Sequence, residues 1–139
     1  LGPKAYREIM SLMMIGLGYD SVAASERLWM SNENLLQIRD AGHEIGLHSF
    51  SHPTVMSSLD KPSQQVEYEK NFQHLSGLLG RKPVSMSHPC GDYNLETLEI
   101  LASLGIKLGF RSSMHPPDPI SVLEMPREDH ANILRAMRT

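Results

Sequence analysis

The sequence predicts an α/β protein in which short parallel strands alternate with helices. Two observations support this fold class: segments with apolar residues at helical spacing alternate with short apolar runs, and the 139 residues contain no internal repeat or low-complexity tract. Consecutive strands that are separated by helices run parallel. Because ligands bind at the carboxyl ends of such strands, the polar residues that directly follow each strand are the candidates for a functional site.

The N-terminal third is predicted to hold two helices and the first strand. Pro3 suits the first turn of a helix over residues 3–14, where apolar residues recur at helical spacing. Ser31 is a favourable N-cap for a helix over 32–41. The residues of this second helix expected to face inward are Leu35, Leu36 and Ile38. The apolar run over 43–47 follows directly and predicts a buried strand.

The middle of the chain repeats the order of helix and strand twice. A helix over 62–79 is predicted from Pro62 at its start and from an apolar stripe at helical spacing. The stripe consists of Tyr68, Phe72, Leu75 and Leu79. A strand over 83–87, a helix capped by Asn94 and a strand over 106–110 follow. The residues of the capped helix expected to face inward are Leu95, Leu98, Leu101 and Ala102.

The C-terminal part is predicted to hold a proline-rich loop over 115–119, an extended piece over 122–125 and a polar helix near 130–137. The length fits one domain, over residues 1–139. Because the chain begins with leucine instead of methionine, we expect this domain to be incomplete at its N-terminus.

The composition argues against several classes of function. The formal net charge of -3 gives no reason to expect a nucleic-acid partner. The single cysteine, Cys90, forbids an internal disulfide. No apolar run approaches the roughly 20 residues that span a bilayer, and residues 1–19 form an amphipathic pattern that differs from a signal peptide. We expect no membrane span, and we leave open the oligomeric state and whether the protein is cytoplasmic or secreted.

Two histidines, His48 and His52, follow the first predicted strand at the edge where ligands bind. Imidazoles four residues apart share one face if the backbone turns helically, so both can offer a nitrogen to one cation. Zinc suits such ligands, and other first-row divalent metals stay open. Pro53 fixes the turn after the second imidazole. The alternative is a chance spacing on the surface, because the chain has seven histidines; His43, at the other end of the strand, is expected to be structural or exposed.

A tight loop follows the next predicted strand and contains Pro89, Cys90 and Gly91. Proline and glycine on either side of Cys90 predict exposed backbone N–H groups, which can stabilise a developing oxyanion by a few kcal/mol. The alternative is an ordinary turn from strand to helix, capped by Asn94. The Cys90 side chain is either a nucleophile or a small buried apolar group, the commoner role. Arg127 is either a site residue or a solvated charge.

These residues together resemble a known family, the NodB-type polysaccharide deacetylases of carbohydrate esterase family four. Residues 42–53, which read Gly-His-Glu-Ile-Gly-Leu-His-Ser-Phe-Ser-His-Pro, resemble the second motif of the family. The loop over 89–94 is similar to the third motif, usually Arg-x-Pro-Tyr-Gly. Residues 125–127 are similar to a Pro-Arg pair that follows a late strand in many members. The resemblance extends from about Ser31 to Arg127.

The resemblance implies a distorted barrel of parallel strands ringed by helices, and a metal-dependent hydrolase that removes N-acetyl groups from amino sugars. His48 and His52 would be metal ligands, with zinc the expected metal and a carbohydrate the expected partner. Cys90 would supply a backbone N–H to the oxyanion, and Arg127 is carried over as a second catalytic residue. The loop residues expected to bind substrate are Pro89, Gly91 and Asp92.

The chain also departs from the family pattern. It contains no Asp-Asp pair, which in the family supplies the third metal ligand and the general base, so we expect that motif upstream of Leu1. The late Leu-x-His motif is absent as well. Ser87 stands where an arginine usually orients the base, which Arg127 would have to replace through space, and Cys90 stands where tyrosine is usual. Two alternatives follow: an inactive fragment or carbohydrate-binding module, and a metal hydrolase acting on a non-sugar amide.

Overall fold

The protein is described by a computed structural model that covers residues 3–114 and 118–138. The predicted proline-rich loop therefore lies partly outside the described residues. The chain divides into two compact units, Leu1–Gln37 and Ile38–Thr139. Each unit is described by itself.

The first unit is helical. Helix α1 spans Pro3–Gly16, as predicted, and helix α2 spans Ser21–Leu28, which the sequence patterns did not predict. Asp20 is the N-cap of α2, since its side chain accepts hydrogen bonds from the backbone N–H groups of Val22 and Ala23 at 3.0 Å each. None of the described residues of this unit is buried.

Helix α3 spans Asn32–Asp40 and crosses the boundary between the two units. Its predicted start is confirmed. The Ser31 hydroxyl accepts from the Asn34 N–H at 3.2 Å, and the Asn34 side chain accepts from the Ser31 N–H at 3.0 Å. The residues expected to face inward are only half-buried.

The second unit contains the remaining helices and both strands. Helix α4 spans Lys61–Leu79, strand β1 spans Ser85–Ser87 and helix α5 spans Leu95–Ser103. Strand β2 spans Leu108–Phe110, and helix α6 spans His130–Ala136. Three short 3-10 turns lie at Met56–Ser58, Pro89–Gly91 and Val122–Glu124. Strands β1 and β2 are parallel, with Met86 opposite Gly109, as the order of elements predicts.

Two isolated parallel bridges extend this pair of strands on both sides. Leu47 pairs with Met86, and Met125 pairs with Phe110. Four segments therefore lie side by side in the order Leu47, β1, β2, Met125. Their carboxyl ends lie at one edge, which is where the sequence places the candidate site.

Both outer segments are shorter than predicted. The strand predicted over 43–47 pairs only at Leu47, whose N–H donates to Ser85 O at 2.9 Å and whose carbonyl accepts from Ser87 N–H at 2.9 Å. The backbone passes so close to β1 at Gly46 that a Cβ there would lie 2.7 Å from the Ser85 carbonyl oxygen. The extended piece predicted over 122–125 is a 3-10 turn capped by Ser121, and only Met125 pairs.

The core of the second unit lies between α4, α5 and the strands. Three of the four predicted stripe residues of α4 are buried, and Phe72 is half-buried. The buried apolar side chains are Leu47, Met56, Tyr68, Leu75, Leu79, Met86, Leu98, Ile100, Leu101, Ile106 and Leu123. The inward orientation predicted for Leu95 and Ala102 is wrong, because both are exposed and Ile100 is buried instead. Asn94 caps α5 as predicted, with a capping box to Thr97.

None of the helices among the described residues is both long and apolar enough to cross a membrane.

Candidate functional site

The histidine pair lies in a short loop directly after Leu47, at the carboxyl edge of the parallel segments. The rings of His48 and His52 are 4.9 Å apart between centroids and inclined by 65°. Both side chains are exposed. The loop turns because Ser49 and His52 adopt left-handed backbone angles, with φ of 61° and 56°. The structure thus places the two predicted ligands side by side and open to solvent.

The ring of His48 is held in one orientation by strand β1. Its Nδ1 lies 2.7 Å from the carbonyl oxygen of Ser87. A carbonyl oxygen can only accept, so Nδ1 is the donor in this contact, and the neutral form of the ring that makes it has its lone pair on Nε2. Histidines that bind metals are commonly oriented in this way by a second partner. The donor set of this loop therefore fits a divalent cation.

The backbone of the loop is fixed by helix α4. The Asn71 side chain accepts from the His48 N–H at 3.0 Å. One oxygen of Glu67 accepts from the Phe50 N–H at 3.1 Å and the Ser51 N–H at 2.7 Å. Inside the loop, Ser49 Oγ accepts from the His52 N–H at 3.1 Å.

The third metal ligand stays a prediction. Over residues 3–114 and 118–138, no group of three or more His, Cys, Asp or Glu side chains is arranged to hold a metal ion. His43 is exposed, as expected.

The predicted oxyanion loop follows β1 as a 3-10 turn, Pro89–Gly91. Cys90 is exposed and left-handed, with φ of 53°, so the alternative that its side chain is a small buried apolar group is wrong. Gly91, with φ of 70°, follows it, and a Cβ at Gly91 would collide with Ser112 Oγ. Because of this left-handed turn, Cys90 lies at the exposed surface of the loop.

Two other residues predicted to bind substrate have structural contacts. Pro89 is fully buried. Asp92 accepts from the Ser57 N–H at 2.7 Å and from the Ser57 hydroxyl at 3.0 Å, so both of its oxygens are engaged. These contacts attach the loop to the turn at Met56–Ser58. Substrate binding by the loop stays a prediction, with Gly91 and Cys90 its accessible part.

A polar cluster of His88, Tyr93 and Glu124 lies against this loop on its interior side. The sequence patterns did not predict this cluster. His88 is 1% exposed, stacks on the Tyr93 ring at 4.2 Å between centroids, and bonds through Nε2 to Leu123 O at 2.8 Å. The Tyr93 hydroxyl donates to Glu124 at 2.8 Å. Burial lowers the pKa of His88, partly offset by its hydrogen bond to Leu123 and by the charge of Glu124. Burial and the bond to Glu124 raise the pKa of Tyr93.

No arginine stands at the position where the family usually has one, and the chain has two other arginines in this region. Ser87, where the family has arginine, uses its carbonyl to orient His48. Arg127 is exposed in the segment after Met125, and its proposed compensating role stays a prediction. The buried arginine of this region is Arg111, which is 7% exposed and lowers the pKa of Tyr93 against the raising effects of burial and Glu124.

Comparisons with known proteins agree with this geometry. A family model for polysaccharide deacetylase matches residues 20–109. Peptidoglycan deacetylase of Helicobacter pylori is 31% identical over 84 residues, which are 60% of this chain and 28% of that protein.

Solved structures show the same fold. The deacetylase PplD of Streptococcus pyogenes, in complex with acetate, aligns with a TM-score of 0.65 and 22% identity, over 78% of this chain and 50% of that one. A CE4 family pseudoenzyme from Bacillus anthracis aligns with a TM-score of 0.51 and 21% identity, over 54% of this chain and 26% of that one. The chain thus spans half or less of each relative.

These matches decide the two broadest predictions. The expected fold class is confirmed, since the helices and parallel strands form part of the NodB-type (β/α) barrel. The family match covers more than half of the chain. The chain belongs to the polysaccharide deacetylase family.

Proposed function

We propose that this protein removes N-acetyl groups from the amino sugars of a poly- or oligosaccharide, with a divalent metal held by His48 and His52. The observation that supports this most directly is the exposed pair of imidazoles, 4.9 Å apart, with His48 Nδ1 bonded to the Ser87 carbonyl. Zinc fits this pair best, because it is commonly bound through neutral imidazole nitrogens.

The chain's own residues have distinct roles in this proposal. His48 and His52 would hold the metal, which when bound acts as a Lewis acid and lowers the pKa of a water molecule. The exposed turn at Cys90 would direct its backbone N–H toward the oxyanion that develops on the amide carbonyl. Neither role needs the Cys90 thiol. The backbone N–H that donates to the oxyanion is therefore retained although cysteine stands where tyrosine is usual.

The remaining parts of the reaction depend on residues outside the described site. A general base must remove a proton from the attacking water. We expect it, together with the third ligand, from the Asp-Asp motif predicted upstream of Leu1. The name of the Helicobacter pylori relative favours an amino-sugar polymer as the substrate. The proposed setting for the reaction is the synthesis of a surface polysaccharide.

The first test measures bound metal. In the chain extended to include the predicted Asp-Asp motif, we expect His48→Ala and His52→Ala each to abolish stoichiometric zinc binding, measured by elemental analysis after dialysis and by calorimetric titration. His74→Ala is the matched control, since His74 is exposed on α4 and outside the loop. Zinc binding that survives in both loop variants would overturn the ligand assignment.

Substrate turnover tests the reaction itself. In the chain extended to include the predicted Asp-Asp motif, we expect acetate release from N-acetylated oligosaccharides, and we expect release to stop in His48→Ala. Saccharide binding without acetate release would favour the carbohydrate-binding module instead. Release of acetate only from non-sugar amides would favour the metal hydrolase that acts on a non-sugar amide.

A further inference from the structure

The loop that carries the histidine pair has a strained backbone. Ser49 and His52 both adopt left-handed angles although neither is glycine. Such angles cost energy and persist only where surrounding contacts enforce them. The bond between Ser49 Oγ and the His52 N–H lies within the loop, so it does not fix the loop relative to the rest of the protein. The restraint must come from a neighbouring element.

Helix α4 supplies that restraint through two polar residues. Glu67 and Asn71 are four positions apart and therefore share one face of the helix. Between them they accept three backbone N–H groups of the loop, from His48, Phe50 and Ser51. The second oxygen of Glu67 accepts from the Ser51 hydroxyl at 2.7 Å. Lys70, on the same helix, lies 5.3 Å from the centroid of the Phe50 ring.

We propose that Glu67 is a positioning residue for the metal site, acting through the backbone of the loop that joins His48 to His52. This role for Glu67 rests on the proposed function, in which the loop binds a metal. Glu67 is the central contact, since three of the four hydrogen bonds from α4 end on its carboxylate. Bonds to an ionised acceptor are roughly twice as strong as neutral ones, so a carboxylate suits this position better than an amide.

In this arrangement the loop carries the two metal ligands, and helix α4 fixes the backbone that orients them. Residues that orient metal ligands typically affect metal affinity about 10- to 100-fold when they are mutated. Glu67 touches neither imidazole directly, so its removal leaves both ligands in place. We therefore expect weaker metal binding together with a more mobile loop, and intact folding of the rest of the unit.

The experiment compares Glu67→Ala and Glu67→Gln with the parent, all in the chain extended to include the predicted Asp-Asp motif that would supply the third ligand. Glu69→Ala is the matched control, because Glu69 lies on the same helix and bonds to Gln65 instead of the loop. The first readout is hydrogen exchange of the Phe50 and Ser51 amides in the metal-free protein, by NMR. We expect exchange to accelerate about tenfold or more in Glu67→Ala, less in Glu67→Gln, and not in the control.

The second readout is the zinc dissociation constant, measured by competition with a chromophoric chelator. We expect it to rise at least about tenfold in Glu67→Ala, with partial recovery in Glu67→Gln. The visible spectrum of the cobalt-substituted protein reports ligand geometry, and a purely structural role for Glu67 would leave it unchanged in the folded fraction.

The outcomes distinguish this proposal from the function on which it rests. If the extended parent chain binds no zinc, the proposed function fails, and the amide exchange still decides whether Glu67 restrains the loop. If the parent binds zinc but Glu67→Ala binds equally tightly, the positioning role is overturned. Lower thermal stability with an unchanged dissociation constant and cobalt spectrum would also overturn it.

Discussion

The two loops at the edge of the parallel strands are held in place in different ways. The histidine loop, residues 48–53, is held from its exposed side by polar contacts from α4. The loop after β1, residues 88–94, is held by the buried residues His88 and Glu124 and by the half-buried ring of Tyr93. Both loops contain left-handed residues other than glycine. The first loop therefore depends mainly on polar contacts near the surface, whereas the second depends on groups that are buried or half-buried.

The same difference predicts how each loop responds to change. Loss of a contact to the histidine loop should alter metal binding more than the free energy of unfolding. Loss of a contact below the second loop should lower the free energy of unfolding, because it leaves a buried polar group without a partner.

The largest effect is expected for Glu124→Ala. Glu124 is 5% exposed and accepts from the Tyr93 hydroxyl, the Ile120 N–H and the Ser121 hydroxyl. Removing this buried acceptor takes a hydrogen bond from the half-buried Tyr93 and Ser121 hydroxyls, so the free energy of unfolding should fall by about 2 kcal/mol, measured by urea denaturation. Glu99→Ala, on the exposed face of α5, is the control.

Zinc affinity in the same variant tests the separation between the loops. We expect the dissociation constant of folded Glu124→Ala to remain near that of the parent. A loss of zinc affinity comparable to that of Glu67→Ala would show that the two loops depend on one network, and the comparison would not hold.

Much of the helical structure follows from local sequence signals. Ser31 and Asn94 act as N-caps, and Gly80 ends α4 with a left-handed φ of 67°. Each of these signals acts within one or two helical turns, so the pattern alone predicts it. The left-handed turn at Cys90 is different, because the sequence around it also fits a buried cysteine.

The contacts that fix the site depend on tertiary structure and could not be predicted. Glu67 and Asn71 read as an ordinary solvated flank of an amphipathic helix. Only the pairing of Leu47 with β1 brings the histidine loop against them. Tyr93 and Glu124 are 31 positions apart, and no local pattern connects them. Gln64, fully buried on α4 and bonded to Thr97, was an available signal, since a polar residue at a core position implies a buried partner.

A smaller effect is expected from the pH dependence of His88. Burial lowers its pKa from the ordinary value of 6.5, so the unfolded chain binds more protons than the folded one at mildly acidic pH. The contribution of neutral His88 to stability is therefore fully present above pH 6.5 and is lost as the pH falls toward the lowered value. Only one ionisation is involved, so the change should be smaller than that caused by Glu124→Ala.

The contribution of His88 can be isolated by substitution. We expect the free energy of unfolding, measured by urea denaturation between pH 5 and 8, to rise with pH in the parent chain and to rise less steeply in His88→Asn. His43→Asn is the control, because His43 is exposed. Equal slopes in the parent and His88→Asn would mean that the buried imidazole does not set the pH dependence. If the free energy of unfolding loses its dependence on pH in His88→Asn but keeps it in His43→Asn, the acid sensitivity arises from the buried His88 at the start of the second loop.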